Sequence, residues 1–220
     1  MSLTLYYHPL ASFCWKVLIA LYENETPFDP VIVDLGNAES KAAFLKVWPV
    51  GKFPVLRDEA RDRTIPESTI ITEYLAEHFP GRVDLVPRDP DAALQARLGD
   101  RFYDHYVHLP MQRIIADRLR PAGKRDPYGV ELERAQIVAS YDIVEAEMVG
   151  RRWAAAETYT MADCAASPAL FYANKVQPFG ERHKKLAAYF GRLMQRPSFM
   201  RVVEEAGPYF KFFPAEPGEM

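Results

Sequence analysis

Cysteine is scarce in this chain: Cys14 and Cys164 are the only two among 220 residues. Two cysteines cannot build a disulfide framework or a cysteine-based metal site, and no C-x-x-C pair is present for dithiol exchange. A reducing, cytoplasmic setting is therefore the simplest expectation. Basic charge is not in excess: 27 Lys and Arg stand against 30 Asp and Glu, a net charge of −3. A general nucleic-acid binder carries a basic face, so nucleic acid is not an expected partner. No apolar run reaches the roughly 20 residues that cross a bilayer, and no membrane partner is expected either. The first residues lack the basic, apolar and small-residue succession of a signal peptide. Internal repeats and low-complexity segments are absent. What is present is ordinary for a globular chain, 49% hydrophobic and 26% charged residues, enough for one large domain or two small ones.

The first third switches between two periods. Leu3, Leu5 and Tyr7 alternate as a strand does. From Phe13 onward, Val17, Leu18, Leu21 and Tyr22 fall at helical spacing until Pro27 and Pro30. "VIVDL", over 31–35, is β-branched and predicts a buried strand. A second helix is expected over about 39–47, stopping before Pro49. "FPVLRDEARDRTIPE" reads as two short strands around a charged turn, with Pro54 at a strand start or edge. "ESTIITEYLAEHF" then predicts a helix with Ile70, Ile71, Tyr74, Leu75 and Phe79 on its apolar face. The order β-α-β-α-β-β-α predicts a mixed sheet with helices packed on it. "PGRVDLVPRDP", 80–90, reads as a linker. Everything beyond reads as helical: Leu94, Leu98, Phe102 and Tyr106 step by four, and Pro110 predicts a kink before the pattern resumes. Further amphipathic stretches cover 132–149, 161–173 and 183–205.

Three local features carry mechanical meaning. In "VGKFPVL" a cis Phe53-Pro54 bond would turn the chain and leave the Phe53 main chain without a ladder partner, open to an extended peptide-like ligand; the alternative is an ordinary trans proline. In "PES", Glu67 and Ser68 lead into a helix whose N–H groups favour a carboxylate, while Glu67 suits an ammonium; together they fit an α-amino acid, and a plain helix start is the alternative. In "YTMAD", Thr160 with Asp163 three residues on predicts a capping box, with Tyr159 at the staple position. That last feature is architecture rather than chemistry.

"YYHPLASFCWKVLIAL", "GKFPVL", "PES", the Pro-rich linker, "TMAD" and "RLMQRPSF", in this order and spacing, resemble a cytosolic glutathione transferase over nearly the whole chain. The resemblance implies a thioredoxin-like domain with a mixed four-stranded sheet at 1–80, a linker at 81–90 and an all-helical domain at 91–220. Carried over by position, Phe53 beside a cis Pro54 would pair with the cysteinyl part of glutathione. Glu67 and Ser68 would hold its γ-glutamyl end, with Lys41 and Lys52 candidates for the glycine carboxylate. Serine-type members place a hydroxyl in the first strand-helix loop, where it donates to the glutathione sulfur. Counting back from "KVLIAL", some align that serine with Ala11 and others with Ser12. "SFC" is also partly similar to the Ser-Ser-Cys signature of the zeta class, which includes maleylacetoacetate isomerases.

Ser12 is thus the expected thiol activator and Cys14 the alternative; Tyr6 and Tyr7 are further alternatives that suit a strand core. His105 and His108, with Asp104, stand at spacings a helical metal site allows, but no further ligand motif accompanies them and no metal is expected. The same helix is expected to border the electrophile pocket through Tyr103, Tyr106, Val107 and Met111. The aromatic tail "GPYFKFFPAEP" covers either that pocket or plain surface. The expected function is glutathione transfer to a small hydrophobic electrophile, by a homodimer, with glutathione as co-substrate. The alternatives are a glutathione-dependent isomerase, a Cys14-based thiol reductase, and a non-catalytic transferase-like binding protein.

Overall fold

The computed structural model describes residues 3–155 and 157–214. Its sheet is built around β1 (Leu3–Tyr7), whose Leu3 and Leu5 are buried. β2 (Asp29–Ile32) pairs parallel to β1, from Thr4↔Asp29 to Tyr7↔Ile32. β3 (Val55–Asp58) runs antiparallel to β1, and β4 (Arg63–Pro66) antiparallel to β3, giving the order β2-β1-β3-β4. The strand expected to be buried over 31–35 is corrected: β2 starts at Asp29, lies at the sheet edge and is exposed along its length. Pro30 inside it explains the placement, since a proline cannot donate to a second ladder partner.

α1 (Ser12–Glu23) is apolar nearly all round, and it is buried nearly all round, as such a helix must be. It packs on α3 (Ser68–His78) and on two helices of the second half, α7 (Met161–Val176) and α9 (Pro197–Ala206). α2 (Ala38–Val47) starts at Asn37, whose side chain accepts from the Glu39 and Ser40 N–H groups at 3.0 Å.

The helical half comprises α4 (Pro90–Phe102), a π-helical turn (Tyr103–His108), α5 (Leu109–Arg118), α6 (Pro127–Glu147), α7 (Met161–Val176), α8 (Lys184–Met194) and α9 (Pro197–Ala206). A 3-10 turn, Gly207–Phe212, follows. The thioredoxin-like half and the helical half share one core. The Thr160–Asp163 capping box forms as expected, and Asp163 also accepts from the Ala154 N–H at 2.9 Å and the Tyr189 hydroxyl at 2.7 Å.

α4 is inverted relative to the expected pattern. Its buried face consists of Ala93, Ala96 and Asp100, while Leu94 and Leu98 are exposed. Small residues let it approach α7 closely: a Cβ on Gly99 would stand 2.8 Å from the Ala162 Cβ. Ile70, placed on the inner face of α3 by periodicity, is also exposed, as is Tyr106. At the seam between the halves, the fully buried Lys16 of α1 reaches Asp100 at 2.5 Å, Asp104 at 2.9 Å and the Thr69 hydroxyl at 2.8 Å.

Candidate active site

Strand β1 delivers the chain to α1 through Pro9 and Leu10, and the N-terminal turn of α1 stands between two cavities. The first, of about 200 Å³, is lined by Phe13, Trp48, Lys52, Phe53, Pro54, Pro66, Glu67, Ser68, Arg101, Asp104, His105 and Leu109. The second, of about 320 Å³, is lined by Leu10, Ala11, Ser12, Met111, Gln112, Ile115, Leu119, Tyr172, Phe212, Phe213 and Pro214. Consecutive residues of α1, Ser12 and Phe13, thus face different cavities.

In the first cavity the peptide bond Phe53-Pro54 is cis. The β3 ladder begins only at Val55, so the Phe53 main chain lies outside it. The Phe53 ring stacks on His8 with centroids 5.9 Å apart. Across the cavity, Glu67 caps α3 with φ of +71°, a left-handed backbone on a non-glycine residue, which is rare outside places where the surroundings impose it. The first N–H groups of α3 have no partners within the helix, and Ser68 at its start lines this cavity. Exposed Lys52 lies at the rim. The opposite wall is acidic and basic at once: Arg101 bonds Thr69, Asp100 and Asp104. Burial and the neighbouring Asp100 push the Asp104 carboxyl up, against the pull of Lys16 and Arg101.

Ser12, the first residue of α1, is buried, and its hydroxyl oxygen lies 2.7 Å from His108 Nδ1 and 3.1 Å from Nε2. His108 is itself buried, with its ring centroid 4.1 Å from that of Phe13. Burial, reinforced by the charge of Lys16, pushes its imidazole down to about 3 from an ordinary 6.5, so the ring is neutral. Cys14, two residues on, is wholly buried, and burial pushes its thiol up. A thiol in that state is a small core residue, not a nucleophile. Tyr6 packs half-buried against Phe44, and burial pushes the Tyr7 hydroxyl up.

Of the residues singled out from sequence, Lys52, Phe53, Pro54, Glu67 and Ser68 converge on the first cavity, whereas Lys41 lies exposed on α2 and lines neither. Met111 lines the second cavity. Tyr103 and Val107 do not: both are core residues, and Tyr106 points outward. Their placement rested on the helix as a whole bordering the pocket, and within the π-helical turn Tyr103 and Val107 face the core instead. His105 is exposed at the first cavity and His108 buried at Ser12, so the two do not face a common point. Sequence reasoning missed Trp48 and Arg101 in the first cavity, and Gln112, Ile115 and Tyr172 in the second. The four-residue spacing of Arg101 and His105 on one helix is the one signal that pairs the residues of the far wall. In the aromatic tail, Phe212, Phe213 and Pro214 line the second cavity; residues 215–217 of that stretch lie outside the described residues.

Residues 5–83 match the family described as glutathione S-transferase, N-terminal domain, and residues 102–197 that described as glutathione S-transferase, C-terminal domain. Glutathione S-transferase F13 of Arabidopsis thaliana is 29% identical over 210 residues, covering 92% of this chain and 95% of the relative. Glutathione S-transferase GstB of Escherichia coli K12 is 25% identical over 190 residues, covering 86% and 91%. A crystal structure of a glutathione S-transferase from Methylobacterium radiotolerans, in complex with glutathione sulfonate, superposes with a TM-score of 0.80 at 26% identity, over 92% of this chain and 95% of that one. With both halves matched in order, the chain belongs to the glutathione S-transferase superfamily of enzymes.

Proposed function

We propose that the first cavity binds glutathione and that Ser12 activates its thiol for attack on a small hydrophobic electrophile held in the second. The observation that carries this reading is the first turn of α1, where Ser12 lines the second cavity and the next residue, Phe13, lines the first. In this reading the Phe53 main chain pairs with the cysteinyl unit, Glu67 and Ser68 hold the γ-glutamyl end, and Lys52 takes the glycine carboxylate. Lys41 has no part in it. The Cys14 reductase reading loses its support with the burial of that thiol.

The energetics are modest. A free thiol of pKa near 8.5 is a few per cent ionised at neutral pH, and lowering it by two units takes about 2.7 kcal/mol. A hydroxyl hydrogen bond to a charged partner contributes about 1.5–3 kcal/mol. Intrinsic nucleophilicity falls with pKa, so ionisation alone yields only a few-fold gain. Placement of the electrophile supplies the rest.

The proposal extends to a cytoplasmic homodimer, with the chain divided at 1–80, 81–90 and 91–220. The exposure of the large apolar residues Ile70, Leu94, Leu98 and Tyr106 supports self-association, since exposed apolar surface marks interfaces. The catalytic reading is tested by the ultraviolet absorbance of bound glutathione thiolate across pH. Ser12→Ala is expected to bind glutathione with its thiol pKa raised toward the free value, and Cys14→Ala to leave it unchanged. A wild-type titration curve in Ser12→Ala, or loss of thiolate only in Cys14→Ala, would refute the assignment.

A further inference from the structure

We propose that Tyr172 is a positioning residue for this chemistry: its hydroxyl, donated to the Leu10 carbonyl, sets where the loop leading into Ser12 stands against the electrophile cavity. This rests on the reading of Ser12 given above. The bond is 2.9 Å long and joins residues 162 apart in the chain, one on α7 and one in the loop before α1. The other main-chain groups of that loop are served from nearby. The Trp15 indole N–H donates to the Pro9 carbonyl, the Leu10 N–H to His8 Nδ1 at 3.2 Å, and the Ala11 N–H to the His8 carbonyl at 3.0 Å. The Ala11 carbonyl accepts from the Cys14 and Trp15 N–H groups at 2.8 and 3.1 Å. These local bonds reach across six residues at most, so they fix the shape of the loop but not its place. Among the loop's main-chain bonds, that from Tyr172 alone crosses to the helical half.

Tyr172 is held too firmly to drift. It is buried, its ring stacks on Phe213 with centroids 5.6 Å apart, and it packs on Trp15 at 4.9 Å. Burial pushes its hydroxyl up, so the group stays a protonated donor. The same ring lines the second cavity beside Phe213. One rigid side chain thus forms the wall that faces the electrophile and holds the carbonyl two residues before Ser12. The start of α1 adds no anchor of its own, since Ala11 at its N-cap makes no side-chain bond to the first turn. A hydrogen bond weakens steeply off its axis. A loop that slips therefore turns the Ser12 O–H away from the sulfur, while glutathione keeps the first cavity, which Tyr172 does not line.

The test titrates the thiolate absorbance of bound glutathione in full-length variants. Tyr172→Phe keeps the ring and loses only the hydroxyl. It is expected to raise the thiol pKa by part of the Ser12→Ala shift, an about threefold loss of thiolate near neutral pH. Para-aminophenylalanine at position 172 keeps a donor there and should restore most of it, whereas para-fluorophenylalanine, of similar bulk without a donor, should not. That pair makes the comparison independent of how Tyr172→Phe folds. Tyr141→Phe is the control, because Tyr141 is also buried and its hydroxyl donates to a carbonyl elsewhere, that of Gln177, at 3.0 Å. It should titrate as wild type. In the Ser12→Ala background Tyr172→Phe should add nothing. A wild-type thiol pKa in Tyr172→Phe, an equal rise in Tyr141→Phe, or equal titrations for the two substituted phenylalanines overturns the inference while leaving Ser12 in place. A wild-type thiol pKa in Ser12→Ala overturns the Ser12 reading and this inference with it.

Discussion

A histidine that stays neutral when folded makes the protein sensitive to acid. Burial and Lys16 hold His108 to about 3, whereas the unfolded chain titrates it at 6.5. As pH falls through the window from 6.5 to 3, the unfolded chain gains a proton that the folded protein does not, so stability contributed at neutral pH is lost. The span corresponds to on the order of 5 kcal/mol at about 1.4 kcal/mol per unit. Urea unfolding of wild type and His108→Asn across about pH 3–7, a range that covers that window, should show the wild type losing several kcal/mol more than the variant on the acid side. Parallel curves would show that His108 does not titrate in this way. At this scale the sequence was legible where partners are chain neighbours: Phe53-Pro54 and Glu67-Ser68 announce themselves as dipeptides. His108 and Arg101 were not, because what gives each its role is a residue from another element, Ser12 for one and Thr69 for the other.

At the scale of the element, Pro110 decides the form of the segment before it. Proline has no N–H and its ring crowds the carbonyl four residues back, here that of Tyr106. The chain meets this with a π-helical turn rather than a plain kink, and the Ser140 hydroxyl donates to the Tyr106 carbonyl at 2.8 Å. Ser140→Ala should therefore cost about 1–2 kcal/mol by leaving a carbonyl underprovided, read as a lowered urea midpoint; an unchanged midpoint would show that water or the helix itself serves that carbonyl. Tyr103, Tyr106 and Val107 were expected at the electrophile because their helix follows the linker, and being on that helix does not say which of its residues turn inward through a π-helical stretch. Periodicity misread α4. It reports that a face is apolar but not what covers it, and in α4 the core-facing side is small because α7 lies so near.

At the scale of the molecule, the two-part architecture was readable from punctuation: strands and helices of mixed period, a Pro-rich bridge, then helices alone. Less readable was how thoroughly the parts interlock. Trp15 of α1 packs against Phe171 and Tyr172 of α7, Glu23 is bound by Arg196 and Ser198, and Lys16 by Asp100 and Asp104. No pattern in either half foretells these pairings, since each is a long-range choice made by packing. Leu94, Leu98, Ile70 and Tyr106 are among the large apolar residues this interlocking leaves exposed. Sedimentation equilibrium should give twice the chain mass for wild type and the single-chain mass for Leu98→Glu, because an unpaired charge inside an apolar interface is costly. Retention of the double mass by the variant would place any interface elsewhere.

The π-helical turn also has a consequence for counting. Bonding from each residue to the fifth along, rather than the fourth, spends one residue more than a regular helix does over the same stretch. It acts as a built-in insertion, and each residue in a helix advances the face by about 100°. Deleting a single residue between 103 and 108 would let the helix run straight and leave everything from Leu109 onward facing nearly as it does now, because the wide turn spreads its extra residue over the same rotation. Deleting one from the regular turns of α4 would instead swing Met111 and Gln112 away from the second cavity by that angle. The segment is therefore a phase keeper: it absorbs a residue and holds two regular helices in step with one site.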